Sequence, residues 1–182
     1  MIGRGLRGVR LVVGDRCAGL VSPVDSMLPN ARCQWCMVRF MRDVLSKTPP
    51  GHREWASAAL KAVVAQENRE SAMAKAGTVA GEMEERKLKS AANRLREGVG
   101  GTATYLAPGF PANHRIKLRT DNMIERFNKE IRRRTRVVGD FPDSNSALML
   151  VCARIRYVTS RSWSDRRYMD TSRLDDNLGA AA

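Results

Sequence analysis

From His52 to Glu97 the sequence is rich in Ala, Glu, Lys and Arg and carries no strand signal. Pro49-Pro50-Gly51 breaks the chain before this stretch, and Gly98, Gly100 and Gly101 close it. Such a segment reads as helix. Trp55, Ala59 and Val63 recur at i, i+4 and i+8, and Met73, Ala76, Ala80 and Met83 share a second helical face. Asn68 has the short polar side chain that an N-cap needs. The pattern predicts a helical hairpin inserted between two parts of an α/β unit.

The flanks supply the α/β signal. "GVRLVVGD" places Val9, Leu11, Val12 and Val13 in a short β-branched apolar run ending at Gly14-Asp15. It reads as a buried strand. An acid at the carboxyl end of a strand stands where α/β sheets hold ligands, although an Asp there is more often a turn residue. "CAGLVSPVDSMLP" reads as a helix weakened by Pro23. "ARCQWCMVRFMRDVL" runs from a short strand into a helix with Val38, Met41 and Leu45 on one face. Beyond the central stretch comes a loop carrying Pro108 and Pro111. A helix capped by Thr120 or Asp121 and ending before Gly139 follows. The last helix is capped by Asp143 or Ser144, with Leu148, Val151, Ile155 and Val158 as its stripe. The tail from Asp170 is polar.

Charge narrows the partners. The 182 residues carry a formal net charge of +13 and a pI near 10.5, which favours a polyanion such as nucleic acid. An anionic membrane surface is the competitor. No apolar run is long enough to span a bilayer and no signal peptide is evident, so a soluble, cytoplasmic protein without a membrane partner is expected. Aromatic residues make up only 5% and do not interleave with the basic clusters, which argues against base stacking on single strands. Cys33 and Cys36 form a lone Cys-x-x-Cys, Cys17 and Cys152 stand apart, and His52 and His114 are far from one another. Reduced, mostly buried thiols are expected rather than a four-ligand zinc site.

The most basic stretch is "RTDNMIERFNKEIRRRTRVVGDFP", Arg119 to Pro142. On a helix, Ile124, Phe127 and Ile131 make an apolar face; Glu125, Asn128 and Arg132 line its edge; Arg126, Lys129 and Arg133 lie farther round. Glu125 is thus a boundary residue. Composition alone makes it an ordinary surface carboxylate paired with Lys129.

Three blocks resemble the C-terminal part of Mutator-type bacterial insertion-sequence transposases. "VRLVVGDRCAGL" is similar to the strand and turn that hold that family's second catalytic aspartate, at Asp15. "ARCQWCMVRFMRDVL" resembles its Cys-x-x-His block, with Cys36 at the Cys position. "FPANHRIKLRTDNMIERFNKEIRRRTRVVGDFP" resembles its most diagnostic block, in which Glu125 falls on the catalytic glutamate. The resemblance implies an α/β fold: a truncated ribonuclease H-like catalytic core with an all-helical insertion, helix dominant. Its parts would be residues 1–48 (partial core), 49–101 (insertion), 102–169 (C-terminal core helices) and 170–182 (tail). It implies two-metal phosphoryl transfer on DNA, with Asp15 and Glu125 holding Mg²⁺ or Mn²⁺. Arg126, Lys129, Arg132, Arg133, Arg134 and Arg136 would meet phosphates, with Asn122, Asn128, Cys36 and His114 in support. The implied partners are transposon ends and target DNA, and a homo-oligomer or a full-length transposase.

The sequence also departs from the pattern. Arg39 stands at the His of the Cys-x-x-His block, Cys33 where Trp is usual, Trp35 where a basic residue is usual, Gly14 where Ser is common, and Asp121 at the second Thr or Ser of the glutamate block. The family's first aspartate lies upstream of Asp15, and no acidic residue precedes Asp15 here. The resemblance therefore implies two of three metal ligands and no transposition by this chain alone. The alternative is a non-catalytic basic DNA-binding module or regulator of full-length transposase.

Overall fold

The computed structural model describes residues 3, 5–15 and 24–159. The chain divides into two compact units, Met1–Thr120 and Asp121–Ala182.

In the first unit, strand β1 (Leu11–Gly14) pairs in parallel with β2 (Arg32–Trp35), with Leu11 opposite Arg32 and Gly14 opposite Trp35. Consecutive parallel strands need a crossover, which in sequence falls to residues 15–31. Its described part includes a helical turn at residues 24–27; the rest of the predicted helix around Pro23 lies outside the described residues. All four residues of β1 are half-buried rather than buried, because β2 is its only strand partner among the described residues. The peptide N–H of Cys36 donates to the Gly14 carbonyl at 2.8 Å, which ties the start of α1 (Met37–Ser46) to the end of β1.

Three helices, α2 (Arg53–Val64), α3 (Arg69–Glu85) and α4 (Lys89–Thr102), fill the stretch predicted to be helical, where a two-helix hairpin was expected; a turn at residues 86–88 splits the expected second helix. One apolar core joins them to α1: Phe40 and Val44; Ala56, Leu60 and Val63; Ala76, Val79, Ala80 and Met83; Ala91, Ala92, Leu95 and Val99. The alanines let the helix backbones approach closely, so the volume is filled with few large side chains. The helix α1 buries Met37, Phe40 and Val44, while Val38, Met41 and Leu45 flank that face half-buried. Met73, expected inside, is 41% exposed; Ala72 and Val79 take the inner face. Asn68 caps α3 as expected, its side chain accepting from Ser71 N–H at 2.8 Å.

The close of this helical body is where the sequence reading fails. Gly98, Gly100 and Gly101 do not end α4, which continues to Thr102. A Cβ on Gly98 would lie 2.1 Å from the Phe40 ring, and one on Gly101 would lie 2.4 Å from the Trp35 ring. Two of the three glycines are there because aromatic rings press on the helix backbone.

The turn between α3 and α4 is a Schellman motif. Leu88 N–H donates to Met83 C=O and Lys87 N–H to Glu84 C=O, both at 2.8 Å. Lys87 sits in the left-handed region at φ 62°. After α4 come single turns at Thr104–Leu106 and Ala112–His114 and a short helix α5 (Arg115–Leu118).

The second unit contains α6 (Asn122–Val138) and α7 (Ser144–Thr159). Asp121 holds the N-cap position of α6 without a capping side-chain hydrogen bond, and Gly139 at φ 80° follows the helix end. Asp143 caps α7 by accepting Ser146 N–H at 2.6 Å. That bond, first of all, lowers the Asp143 carboxyl pKa. The expected α7 stripe is largely uncovered: Leu148 is 59% and Ile155 40% exposed, and only Val151 is half-buried among its described members.

Candidate nucleic-acid interface and carboxylate sites

Asp15 follows β1 directly, at the carboxyl end of the strand. Its Oδ1 lies 2.7 Å from Arg39 Nε, one turn into α1. The oxygen is sealed from solvent, and the guanidinium N–H is not aligned for a hydrogen bond with it, so the contact is a charge pair alone. The parallel register that sets Gly14 beside Trp35 also brings the first turn of α1 beside Asp15. Sequence reading marked Arg39 only as a departure from a pattern; three-dimensional proximity gives it a partner.

Cys36 is buried at the N-terminus of α1, its carbonyl accepting from Phe40 N–H at 3.0 Å. Cys33 is half-buried, and its thiol pKa is raised by burial and then by the Asp25 charge. Cys152 is exposed, contrary to the expectation of mostly buried thiols. His114 is buried at the foot of α5.

Among the buried polar residues that sequence reading missed is Gln34. It is 1% exposed. Its Nε2 donates to Thr102 C=O at 2.6 Å and to Trp35 C=O at 2.8 Å, and its Oε1 accepts Tyr105 N–H at 2.8 Å. One amide thus fastens the strand β2 to the end of α4. A lone Gln inside a short strand carries no signal of this; the partners are 68 and 71 residues away.

In the second unit, α6 presents Arg126, Lys129, Arg132, Arg133, Arg134 and Arg136, all exposed, with Asn122 and Asn128 also exposed. Glu125 is half-buried, as its boundary position predicts. The apolar face beside it is only partly covered: Phe127 and Ile131 are half-buried and Ile124 is 58% exposed. The carboxylate that gathers arginines is Glu130. Arg133 donates to it through Nε at 3.2 Å and Nη2 at 3.0 Å. Arg154 of α7 donates to the same carboxylate, and Arg134 lies 3.6 Å away. Arg133, first, and Arg154 hold the Glu130 carboxyl at about 2. Five positions separate Glu125 from Glu130, about 140° around a helix of 3.6 residues per turn. Glu130 therefore spends its charge inside the helix pair, and Glu125 lies on the other flank.

Among the described residues no three His, Cys, Asp or Glu side chains gather into a metal cradle. No helix of the described residues is long and apolar enough to cross a membrane.

Among the described residues, helices dominate beside a two-stranded parallel sheet and a strongly cationic helix, which defines a mixed, mainly helical class. The comparisons place it further. The model of the Mutator family of transposases matches residues 1–164, and the chain belongs to that family. It is 34% identical over 176 residues to the transposase for insertion sequence element ISRM5 of Rhizobium meliloti, covering 96% of this chain and 43% of that protein. It is 32% identical over 169 residues to the transposase for IS1081 of Mycobacterium tuberculosis, covering 93% of this chain and 40% of that one. The transposase for IS256 in transposon Tn4001 of Staphylococcus aureus is 29% identical over 169 residues, covering 92% and 43%. The chain thus spans about two fifths of the length of these relatives.

Proposed function

We propose that this chain is the carboxy-terminal portion of a DNA strand-transfer enzyme, and that its own activity is binding the phosphate backbone through α6. The observation that carries the reading is the row of six exposed cations on the helix that also carries half-sheltered Glu125. Cations on a helix draw the backbone in without reading sequence. Asp15 and Glu125 are the two catalytic acids of a ribonuclease H-like core, and the third is supplied from outside these 182 residues. Without it the chain does not cleave or join DNA. Mg²⁺ or Mn²⁺ belongs to the assembled enzyme. With Arg39 against it, the Asp15 carboxylate does not fit a divalent ion. The same pair favours a second reading, a non-catalytic DNA-binding module that competes or co-assembles with full-length transposase.

Fluorescence anisotropy with duplex DNA over a salt series tests the binding. Affinity should fall linearly on a log–log plot with a slope of about −0.9 for each phosphate neutralised. Replacing Arg132 and Arg136 with Ala should shallow the slope by about 1 each. A salt-independent affinity, or an unchanged slope, removes α6 from the interface. Binding unchanged in Asp15→Asn and Glu125→Gln is expected under both readings. Strand transfer by this chain in Mg²⁺ or Mn²⁺ that is abolished by Glu125→Gln would overturn the inactivity.

A further inference from the structure

We infer that Arg39 acts as a built-in counter-ion that occupies Asp15 in place of a divalent cation. The inference rests on the reading of Asp15 as a catalytic carboxylate and makes weak metal loading there its consequence. Arg39 Nε is 2.7 Å from Asp15 Oδ1, and that oxygen has no solvent-exposed surface. A cation approaching that oxygen meets the guanidinium charge already seated against it. The carboxylate itself is not deeply buried: the side chains of Arg39 and Asp15 are 50% and 39% exposed. Access from solvent to the rest of the group is therefore open, and competition rather than burial decides occupancy.

The physics is a comparison of two cations at one oxygen. A guanidinium and a dication within a few ångströms of each other repel, and both compete for one negative charge. At separations near 4 Å and effective dielectric constants between protein surface and water, the penalty weakens dication binding by about tenfold or more. The guanidinium is tethered to α1 by its own chain, so it competes for Asp15 at a high local concentration. Arg39 also holds the end of β1 to the first turn of α1, alongside the Cys36 N–H to Gly14 C=O bond. The half-exposed position lets Arg39→Gln remove the charge without opening the core.

The probe is Mn²⁺ alone, and the readout is paramagnetic broadening of the amide resonances of Val13, Gly14 and Asp15 in the 182-residue chain. The wild-type chain should broaden only at the high Mn²⁺ concentrations that act on any surface carboxylate. Arg39→Gln should broaden at a Mn²⁺ midpoint at least about tenfold lower. Arg39→Gln with Asp15→Asn should lose that gain. Arg42→Gln, an exposed cation on the same helix, removes the same net charge and should leave the midpoint at its wild-type value. Equal midpoints in wild type and Arg39→Gln overturn the inference, as does a gain that survives Asp15→Asn or is matched by Arg42→Gln. Salt-dependent DNA binding through α6 does not involve Arg39, so failure here leaves the proposed DNA binding to its own test.

Discussion

Replacing Gly98 with Ala separates two forces of opposite sign. Helix propensity alone says that the change stabilises α4 by about 1 kcal/mol. The structure says otherwise. The new Cβ would stand 2.1 Å from Phe40 Cε2 and 2.6 Å from Cδ2, against about 3.5–4.0 Å for a comfortable carbon contact. The ring must retreat by more than about 1 Å. It is 6% exposed and packed in the same core as Val44 and Leu60, so its retreat must disturb that packing. Overpacking of this kind costs about 1–3 kcal/mol. Gly100→Ala is the internal control, because its nearest neighbour would be Arg69 Nη2 at 3.8 Å, an ordinary contact. Both changes share the propensity gain, so the difference between the two variants isolates the steric penalty. Gly98→Ala should therefore be about 1–3 kcal/mol less stable than Gly100→Ala. For a chain of this size that is a Tm gap of several degrees, at about 2–4 °C per kcal/mol. Thermal and urea unfolding followed by circular dichroism measures it. If Gly98→Ala equals or exceeds Gly100→Ala in stability, the account of why α4 carries glycine is wrong.

Gln34→Leu should destabilise the chain by about 2–4 kcal/mol, since Thr102 C=O and Tyr105 N–H lose their buried partner; a shift of the urea midpoint at constant slope checks it. Lys87→Gly relieves a left-handed residue in the Schellman turn and should add about 0.5–1 kcal/mol, whereas a β-branched residue there should destabilise. Glu130 supplies a pH test. Its folded pKa of about 2 lies below its ordinary value, so its contribution is full above about pH 4.5 and is lost as pH falls toward 2. Amide hydrogen exchange in α7 should quicken over that window relative to α2, and Glu130→Gln should exchange fast already at pH 5; a pH-independent protection in the wild-type chain would show that the Glu130–Arg154 contact does not hold the helices.

Periodicity and capping chemistry are local, so the helices, the strand-to-helix passage at β2 and α1, and the caps at Asn68 and Asp143 were legible in the sequence. The half-sheltered position of Glu125 and the exposure of Arg126, Lys129 and Arg133 followed from helical geometry. The inner faces were read less well. Val38, Met41 and Leu45 form one line on α1, but the neighbours α2 and α4 approach from the side of Phe40 and Val44, and no single helix encodes that direction. Other features depended on contacts between distant positions. Gly98 looks like a terminator until Phe40 arrives 58 residues away in sequence. Gln34 looks like any polar strand residue until Thr102 and Tyr105 close over it. Arg39 looks like a lost histidine until the parallel register of β1 and β2 sets it against Asp15. By itself the sequence determined that the central stretch is helical and where the positive charge lies, because both follow from residue type and short spacing, but not where its helices break or end. Tertiary structure alone decided which glycines are packing sites, which amide is buried and which cation meets the strand-end carboxylate, because only close packing converts a residue's chemistry into a contact.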